Sequence, residues 1–415
     1  MRIALNFRRI DPNKGGAETY VVDLVPRLVK LGHEVAVYAE SCRAGALPAE
    51  ARFHAVAAPG WFDWQKTWNF ARNSERALRL AEANREFDAS VGLINTWYHD
   101  VLIPQAGVQG ASLDHNARRF PDALRRGLYR LGKRINPKSW VYEAIEARQY
   151  APKLGAKRVV AVSEMVRGHL ERYHGVPSQR ISVIPNAIDP GRLGLDDPER
   201  ARADLRSELG LAADATVALF VGHNYELKGL RPLLRALRLR LDRDPNARAI
   251  HLIACGGGKP KAFRGLTRKL GLESVVHFLG FRPDIRPCFH AADFFVSPTY
   301  YDPCSLVVFE ALACGLPVIT TACNGAGEQV TPGKEGFVIP HPGALDQLAD
   351  ALDRMTDEPA RRVMAEAASQ LGLDQSIDRH VARLVAVLEQ VAEARGAGRT
   401  TPKRRLMTNA MVCDW

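Results

Sequence analysis

The 415-residue sequence lacks a long uninterrupted apolar run. Its apolar segments are broken by charge or glycine well before the roughly 20 residues that a membrane-spanning helix needs. The N-terminal apolar stretch is too short, and too soon followed by charge, for a secretory signal peptide. We therefore expect a cytoplasmic protein, with peripheral attachment to the inner face of the cell membrane as the only membrane association left open.

The sequence also lacks the cysteine spacings of a metal site. Its seven cysteines form no Cys-x-x-Cys pair and no cysteine–histidine spacing typical of zinc. They are expected to be reduced thiols, mostly buried. The Asp-x-Asp sequence at 242–244 ends a helix pattern rich in leucine and arginine, so it is interpreted as a solvated helix end. We predict no metal site and no cofactor.

Acidic residues are scarce in one segment. Between Arg118 and Arg158 there are twelve lysines and arginines but only three acids, which supplies nine of the eleven excess positive charges of the chain. A negatively charged partner is indicated: an anionic membrane surface, a phosphorylated acceptor or, less consistent with the pattern, nucleic acid. We expect no nucleic-acid binding, because no recognised binding module accompanies these charges.

The same segment has apolar residues at helical spacing, namely Leu124, Leu128, Leu131 and Ile135. Basic residues lie between them, as in helices that bind anionic membrane interfaces. The alternative is a helix that turns its leucines to the core and its basic face to solvent. The spacing alone does not decide between the two.

The length indicates two domains. Strand patterns alternate with helix patterns from Arg2 to Ile184, and the alternation restarts at Thr216, which predicts two α/β domains with doubly wound parallel sheets. Between them lies the sequence Pro185–Pro190. The predicted division is 1–187, 188–375, a helix over 376–395 that crosses back to the first domain, and a basic disordered tail over 396–415. We expect a monomer.

The segment Tyr301–Thr321 carries the most specific pattern. Asp302 and Glu310 are eight positions apart, around a turn and an apolar helix that Gly315 and Pro317 end before a strand. Ligands of parallel sheets bind at the carboxyl ends of strands, and carboxylates there can accept hydrogen bonds from sugar hydroxyls. A solvated glutamate beside a helix-terminal acid is the alternative.

This segment resembles the donor-sugar motif of the retaining family 4 glycosyltransferases of GT-B fold, and looks most like bacterial lipopolysaccharide-core glucosyltransferases. The first glutamate of that motif is replaced by Asp302, whereas Glu310, Gly315 and Pro317 match. The resemblance continues in Lys228-Gly229, although His223 and Asn224 stand where the family has an arginine. It implies two Rossmann-like domains facing across a cleft.

The resemblance implies a set of site residues. Catalytic roles fall on Asp302, Glu310 and Lys228. Binding of the nucleotide-sugar donor falls on Gly15, Gly16, His223, Lys228, Gly280, Phe281, Asp302, Cys304, Ser305, Leu306, Val307, Glu310 and Glu328. Several have ordinary alternatives: a tight turn at Gly15-Gly16, a solvated lysine at 228, a surface loop at 280–281 and a helix-capping Glu328.

A general base is not evident. The position at which related enzymes carry a histidine or aspartate lies within 105–109, which has no titratable side chain. His99, Asp100 and His115 are nearby acceptor-side candidates, although each is equally consistent with an ordinary loop residue.

The function that the resemblance implies is retaining transfer of a hexose from a nucleotide sugar, a UDP-sugar such as UDP-glucose, to a cell-envelope glycan or glycolipid such as lipopolysaccharide core. The alternatives are a non-catalytic binding protein of the same fold and a transferase for a small soluble acceptor. The missing arginine, Asp302 in place of glutamate and the absent base are the features that favour a binding protein.

Overall fold

The computed structural model describes residues 1–12, 15–258 and 260–400, with side chains as far as residue 396. The predicted tail, 396–415, lies outside the described residues from position 401 onward. Within the described residues, no helix is both long enough and apolar enough to span a membrane.

The first part of the chain forms a parallel sheet in the order β5-β3-β1-β6-β7-β8-β9, beside a short pair β2-β4. Its strands are β1 (Arg2–Asn6), β2 (Arg9–Ile10), β3 (Glu34–Ala39), β4 (Ser41–Cys42), β5 (Arg52–Ala55), β6 (Ala89–Gly92), β7 (Val101–Leu102), β8 (Arg158–Ala161) and β9 (Ile181–Val183).

The second part forms another parallel sheet, in the order β12-β11-β10-β13-β14-β15. Its strands are β10 (Thr216–Val221), β11 (Ile250–Cys255), β12 (Val276–Gly280), β13 (Phe294–Ser297), β14 (Val318–Thr321) and β15 (Gly336–Ile339). In both sheets the strand order reverses direction beside the first strand, at β1 and at β10. The predicted pair of doubly wound parallel sheets is confirmed.

Helices connect the strands and cover the sheets. They are α1 (Gly16–Lys30), α2 (Asp63–Ala83), α3 (Gln109–Ala117), α4 (Ala123–Arg134), α5 (Pro137–Tyr150), α6 (Glu164–His174), α7 (Pro198–Glu208), α8 (Leu230–Arg243), α9 (Pro260–Lys269), α10 (Arg286–Ala291), α11 (Leu306–Ala313), α12 (Leu345–Arg354), α13 (Glu358–Asp374) and α14 (Ile377–Thr400).

Local sequence explains where several helices begin. The Ser163 hydroxyl accepts a hydrogen bond from the main-chain N–H of Val166, which is the N-cap that the sequence predicts for α6. Asp122 caps α4 in the same way, through the N–H of Arg125. Proline occupies the first turn of α5, α7 and α13, where its missing N–H costs no hydrogen bond.

Helix α14 extends to Thr400 and lies against the first sheet, although it follows the second sheet in sequence. The hydroxyl of Tyr20, on α1, lies 2.7 Å from Nε2 of His380 on α14. Further along, the Arg395 guanidinium approaches Glu82 and lies 3.2 Å from a carboxylate oxygen of Asp100. Helix α14 therefore ties the two halves together.

The loop after β13 connects the second half of the molecule to the first. The main-chain N–H of Val108 donates to the Tyr301 hydroxyl at 3.1 Å, and the Ser163 hydroxyl donates to the carbonyl of Pro303 at 2.8 Å. These contacts hold the loop that carries Asp302 against the carboxyl edge of the first sheet.

Candidate active site

A cavity of about 500 Å³ lies between the carboxyl edges of the two sheets. Most of the residues predicted to bind a donor line it: Gly15, Gly16, His223, Lys228, Phe281, Asp302, Cys304, Ser305, Leu306, Val307 and Glu310. We call it the donor cavity. The fold thus brings together side chains that are nearly 300 positions apart in the sequence.

The first half contributes the N-terminus of α1. Gly15 precedes the helix and has no side chain to cap it, so the positive end of the helix dipole faces the cavity, an arrangement that favours an anion. A Cβ atom on Gly16 would lie 3.4 Å from Cδ1 of Leu306. Glycine therefore lets the backbone of the first half approach α11 closely across the cavity.

The turn after β10 carries Lys228. Its ammonium group contacts the carboxylate of Asp302, and the two side chains are 28% and 11% exposed. Gly229 has a φ of +85° and packs against the carbonyl of Pro298 so closely that a Cβ atom would clash with it. The Lys-Gly pair is thus explained locally: the glycine makes the turn that aims the lysine into the cavity.

The loop that carries Asp302 is held by its own half of the molecule. The N–H of Asp302 donates to the carbonyl of Cys323 at 3.0 Å, and its carbonyl accepts from Gly325 at 3.0 Å. The side-chain oxygen of Asn324 accepts from Ser305 at 3.2 Å, just before α11. Burial raises the pKa of the Cys304 thiol, which keeps it protonated.

Glu310 lies in the second turn of α11 rather than at its start. Burial raises its pKa to about 7, although the nearby charge of Arg192 opposes that effect. Arg192 forms a 2.6 Å ion pair with Asp23. All three line a neighbouring cavity of about 360 Å³, so Glu310 lies where the two cavities meet.

Two predicted donor residues lie outside the lining of the donor cavity. The carboxylate of Glu328 accepts hydrogen bonds from the main-chain N–H groups of Glu164 and Met165, at 2.8 and 2.6 Å. Glu328 therefore caps a helix, as the alternative interpretation of the sequence predicted. The helix is α6 of the other half, so this cap also joins the two halves. Gly280 ends β12 with a φ of +68°, and the next residue, Phe281, reaches the cavity instead.

None of the three acceptor-side candidates lines the donor cavity. His99 is buried, and burial lowers its pKa to about 4. The Asp100 carboxylate accepts hydrogen bonds from the N–H and hydroxyl of Ser90 and pairs with Lys157 at 2.8 Å. Both residues lie in the first half, outside the lining of the donor cavity. His115 lines a different cavity, described below.

The sequence did not single out an amide pair that lines the donor cavity. Gln105 and Asn186 exchange hydrogen bonds at 2.8 and 3.0 Å, and Asn186 also donates to the carbonyl of Cys304 at 2.8 Å. The sequence hint was Asn186 itself, within the segment Pro185–Pro190 that separates the two halves. Its hydrogen-bond partners, Gln105 and Cys304, are distant in sequence. Asn186 thus links the connection between the halves to the loop of Asp302.

Within the described residues, no three histidine, cysteine, aspartate or glutamate side chains are grouped so that they could hold a metal ion. That no metal is required for function stays a prediction.

Comparison with known proteins agrees with this geometry. Residues 14–192 match the profile described as Glycosyltransferase Family 4, and residues 201–371 match Glycosyl transferases group 1. The boundary between the two profiles falls between the two sheets.

Two curated relatives are similar over part of their length. D-inositol 3-phosphate glycosyltransferase of Corynebacterium aurimucosum is 33% identical over 218 residues, 51% of this chain and 51% of the relative. Lipopolysaccharide glucosyltransferase WaaG of Escherichia coli strain K12 is 29% identical over 242 residues, 58% of this chain and 63% of the relative. The chain thus spans about half to two thirds of the length of these relatives.

The crystal structure of WaaG, described as a glycosyltransferase involved in lipopolysaccharide biosynthesis, superimposes with a TM-score of 0.75. It is 23% identical, and the match covers 93% of this chain and 99% of that one. The shared architecture is the GT-B fold. Since the two family profiles together span both halves and the donor cavity between them, the chain belongs to the family 4 group of GT-B glycosyltransferases.

Proposed function

We propose that the protein is a retaining hexosyltransferase that takes a sugar from a nucleotide-sugar donor, a UDP-sugar, in the donor cavity. The observation that carries the proposal is the convergence of Lys228, Asp302 and Glu310 with the uncapped N-terminus of α1 in one cavity. This set offers a cation and the positive end of a helix dipole to a diphosphate, and carboxylates to sugar and ribose hydroxyls.

Each group has a distinct task in the proposed reaction. Lys228 and the N-terminus of α1 bind the diphosphate, whose negative charge grows as the bond to the sugar breaks. Asp302 accepts hydrogen bonds from the sugar, and Glu310 accepts them from the ribose. Asp302 already contacts Lys228, so the carboxylate also orients the ammonium group before the donor arrives.

The chemical step needs no additional protein base. The bond between the anomeric carbon and the phosphate oxygen breaks, and the acceptor oxygen forms its new bond on the same face of the sugar. The departing phosphate oxygen takes the proton of the acceptor hydroxyl. This route is consistent with a donor cavity in which none of the candidate bases His99, Asp100 and His115 lies.

We propose a cell-envelope glycan or glycolipid, such as lipopolysaccharide core, as the acceptor. The names of the relatives support two classes of acceptor, a lipopolysaccharide and an inositol phosphate. The alternative to a glycolipid is therefore a small soluble molecule, and a membrane-facing surface favours the glycolipid.

The surface that favours it is formed by α4. Leu124, Leu128, Leu131 and Ile135 are 73%, 59%, 55% and 68% exposed, and no residue of the helix is buried. The alternative of a core-facing helix is therefore wrong. An exposed apolar stripe flanked by arginines and lysines fits an anionic lipid interface. We propose a cytoplasmic protein that attaches peripherally there, as a monomer.

A non-catalytic binding protein of the same fold is the competing proposal. The sequence feature behind it, His223 in place of an arginine, lies in the donor cavity. Release of the nucleotide from the donor separates the two proposals, because transferases slowly transfer their sugar to water.

The experiment is to incubate the purified chain with a panel of UDP-, GDP- and ADP-sugars and to measure release of the nucleoside diphosphate. We expect release from one UDP-sugar and its loss in Lys228→Ala. Lys269→Ala, an exposed lysine near the end of α9, is the matched control and should behave like the parent. Release from no donor, or equal release from both variants, would reject the proposal.

A further inference from the structure

A second, smaller cavity of about 250 Å³ lies in the first half, between α3, α4 and α6. Its lining is dominated by arginine and histidine side chains: Arg118, Arg126, Arg130, Arg172, His115 and His169. We call it the Arg–His cavity. Three of its arginines belong to the basic segment between Arg118 and Arg158, none of whose residues lines the donor cavity.

The Arg–His cavity has a surplus of positive charge. Asp114 is the only acid in its lining, and its carboxylate is already engaged by Arg130 at 2.9 Å and by the Tyr173 hydroxyl at 2.6 Å. Among the described residues, Arg118, Arg126 and Arg172 have no salt-bridge partner. Like charges gathered this way repel one another, so the arrangement favours a bound anion.

One ring nitrogen of each of the two histidines also lacks a partner among the described residues. Their rings are 5.5 Å apart, and the Nδ1 atom of each is buried without a hydrogen-bond partner in the described residues. Unpaired buried polar atoms are uncommon, because each forfeits a hydrogen bond that it would make in water. Burial and the neighbouring charges lower the pKa of both rings, which an entering anion would offset.

The Arg–His cavity is next to the donor cavity. The ring of Tyr301 lies 5.4 Å from that of His115 and 5.7 Å from that of His169. The following residue, Asp302, lines the donor cavity and contacts Lys228. Tyr301 therefore packs against the two histidines of the Arg–His cavity, while the next residue of the same loop lines the donor cavity.

We propose that the Arg–His cavity binds the phosphomonoester group of a phosphorylated sugar acceptor. A phosphate dianion matches the charge surplus, offers several acceptor oxygens to guanidinium groups and fits a cavity of this volume. The site lies beside Tyr301, the residue before Asp302, so an acceptor held by its phosphate here is close to the donor cavity. The proposal rests on the transferase function above, because it names the chemical class of that enzyme's acceptor.

The test is calorimetric titration of the full chain with glucose 6-phosphate, inorganic phosphate and glucose. We expect both phosphates to bind and glucose not to bind. The double variant Arg118→Ala, Arg172→Ala should weaken glucose 6-phosphate binding about tenfold or more, since each removes charge-assisted hydrogen bonds. The double lysine variant should recover part of the affinity, because it keeps the charge but not the guanidinium geometry.

Two controls locate the binding. Arg167→Ala, also on α6 but paired with Glu164 outside the cavity, should leave the affinity unchanged. Lys228→Ala, in the donor cavity, is the variant whose affinity falls if the phosphate binds in that cavity instead. Equal affinity in the double alanine variant and the parent, or loss of binding in Lys228→Ala instead, would overturn the proposal.

A lipid headgroup can carry the same phosphomonoester group, so binding of vesicles that contain phosphatidic acid is measured as well. Binding of these vesicles without any binding of glucose 6-phosphate would overturn the assignment to a sugar phosphate. Nucleotide release by the parent chain is measured separately. Release without phosphate binding rejects only the Arg–His site, whereas phosphate binding without release from any donor supports the site and rejects the transferase.

Discussion

The ammonium group of Lys228 contacts the carboxylate of Asp302 across the donor cavity. Lys228 lies in the turn between β10 and α8, and Asp302 lies in the loop after β13. The contact therefore joins two neighbouring strands of the second sheet at their carboxyl ends. A donor that binds here meets a cation whose position is already fixed. The site is therefore pre-organised to stabilise the charge that develops on the departing diphosphate.

We predict that Lys228→Ala lowers the turnover number more than it weakens donor binding. The charge on the leaving diphosphate grows in the transition state, so a nearby cation matters most there. A loss of about 10²-fold in turnover is expected, with a smaller change in the donor dissociation constant. Steady-state kinetics and calorimetry measure the two quantities. A fall in affinity with unchanged turnover would make Lys228 a ground-state binder only.

We predict that Glu310→Gln lowers transfer at least about tenfold, as expected when a charged acceptor of hydrogen bonds is lost. The variant keeps the shape of the side chain in the second turn of α11, so its fold should be unchanged. Glu366→Gln, on α13 and outside the donor cavity, is the control. Activity equal to that of the parent in Glu310→Gln would remove the donor assignment of this residue.

The stability of the same variant should depend on pH. The pKa of Glu310 is raised to about 7 in the folded chain, against an ordinary value of 4.5. Below pH 4.5 the group is protonated in both states and costs nothing. As pH rises from 4.5 to 7 the group ionises in the unfolded chain before it ionises in the folded chain, so the parent loses stability and Glu310→Gln should become more stable than the parent by about 3 kcal/mol. Denaturant unfolding at pH 4.5 and pH 8 measures this, and a difference independent of pH would contradict it.

We predict that Gly229→Ala is more damaging than Gly210→Ala. Both glycines have positive φ, +85° and +66°, so both substitutions strain the backbone by about 1 kcal/mol. At Gly210 nothing lies within 4 Å of the added Cβ, whereas at Gly229 it meets the carbonyl of Pro298. The turn that positions Lys228 should shift, so donor affinity should fall only in Gly229→Ala. Equal effects on unfolding and binding would argue against that role.

We predict that replacing Arg125, Lys133 and Arg134 by glutamate abolishes co-sedimentation of the protein with anionic vesicles. None of the three lines the Arg–His cavity, so the change tests the surface of α4 alone. Each basic residue near the membrane contributes about 1 kcal/mol, an effect that salt screens. Glutamate at Arg264, Arg268 and Lys269 of α9 gives the same charge change elsewhere. If the α4 variant sediments with the vesicles as well as the parent does, α4 does not bind the membrane and its exposed side is an ordinary solvated surface.

The sequence predicted the fold because its signals are local and repeated. Alternating strand and helix patterns indicate parallel sheets, and strand ends such as those before Lys228 and Asp302 share an edge in such sheets. Most of the donor cavity follows from that rule and from the motif around Glu310. Predictions of this kind need no knowledge of how the two halves pack.

The predictions that differ from the structure depend on packing between distant segments. Glu328 caps α6, a helix of the other half, and nothing near it in sequence indicates that partner. Asp100 is held by Ser90 and by Lys157 through side chains that become neighbours only in the sheet. The leucines of α4 have the spacing of a buried face, and only the position of the helix in the fold shows that they are exposed.

The most direct test of the account is proton NMR of the sugar that the protein releases from an α-linked UDP-sugar in the first minutes of reaction. Retaining transfer to water, with Lys228 stabilising the departing diphosphate, predicts that the α-anomer appears first and then mutarotates. The signal should be absent in Lys228→Ala and present in Lys269→Ala. Initial appearance of the β-anomer, or no released sugar from any donor tested, would contradict the account.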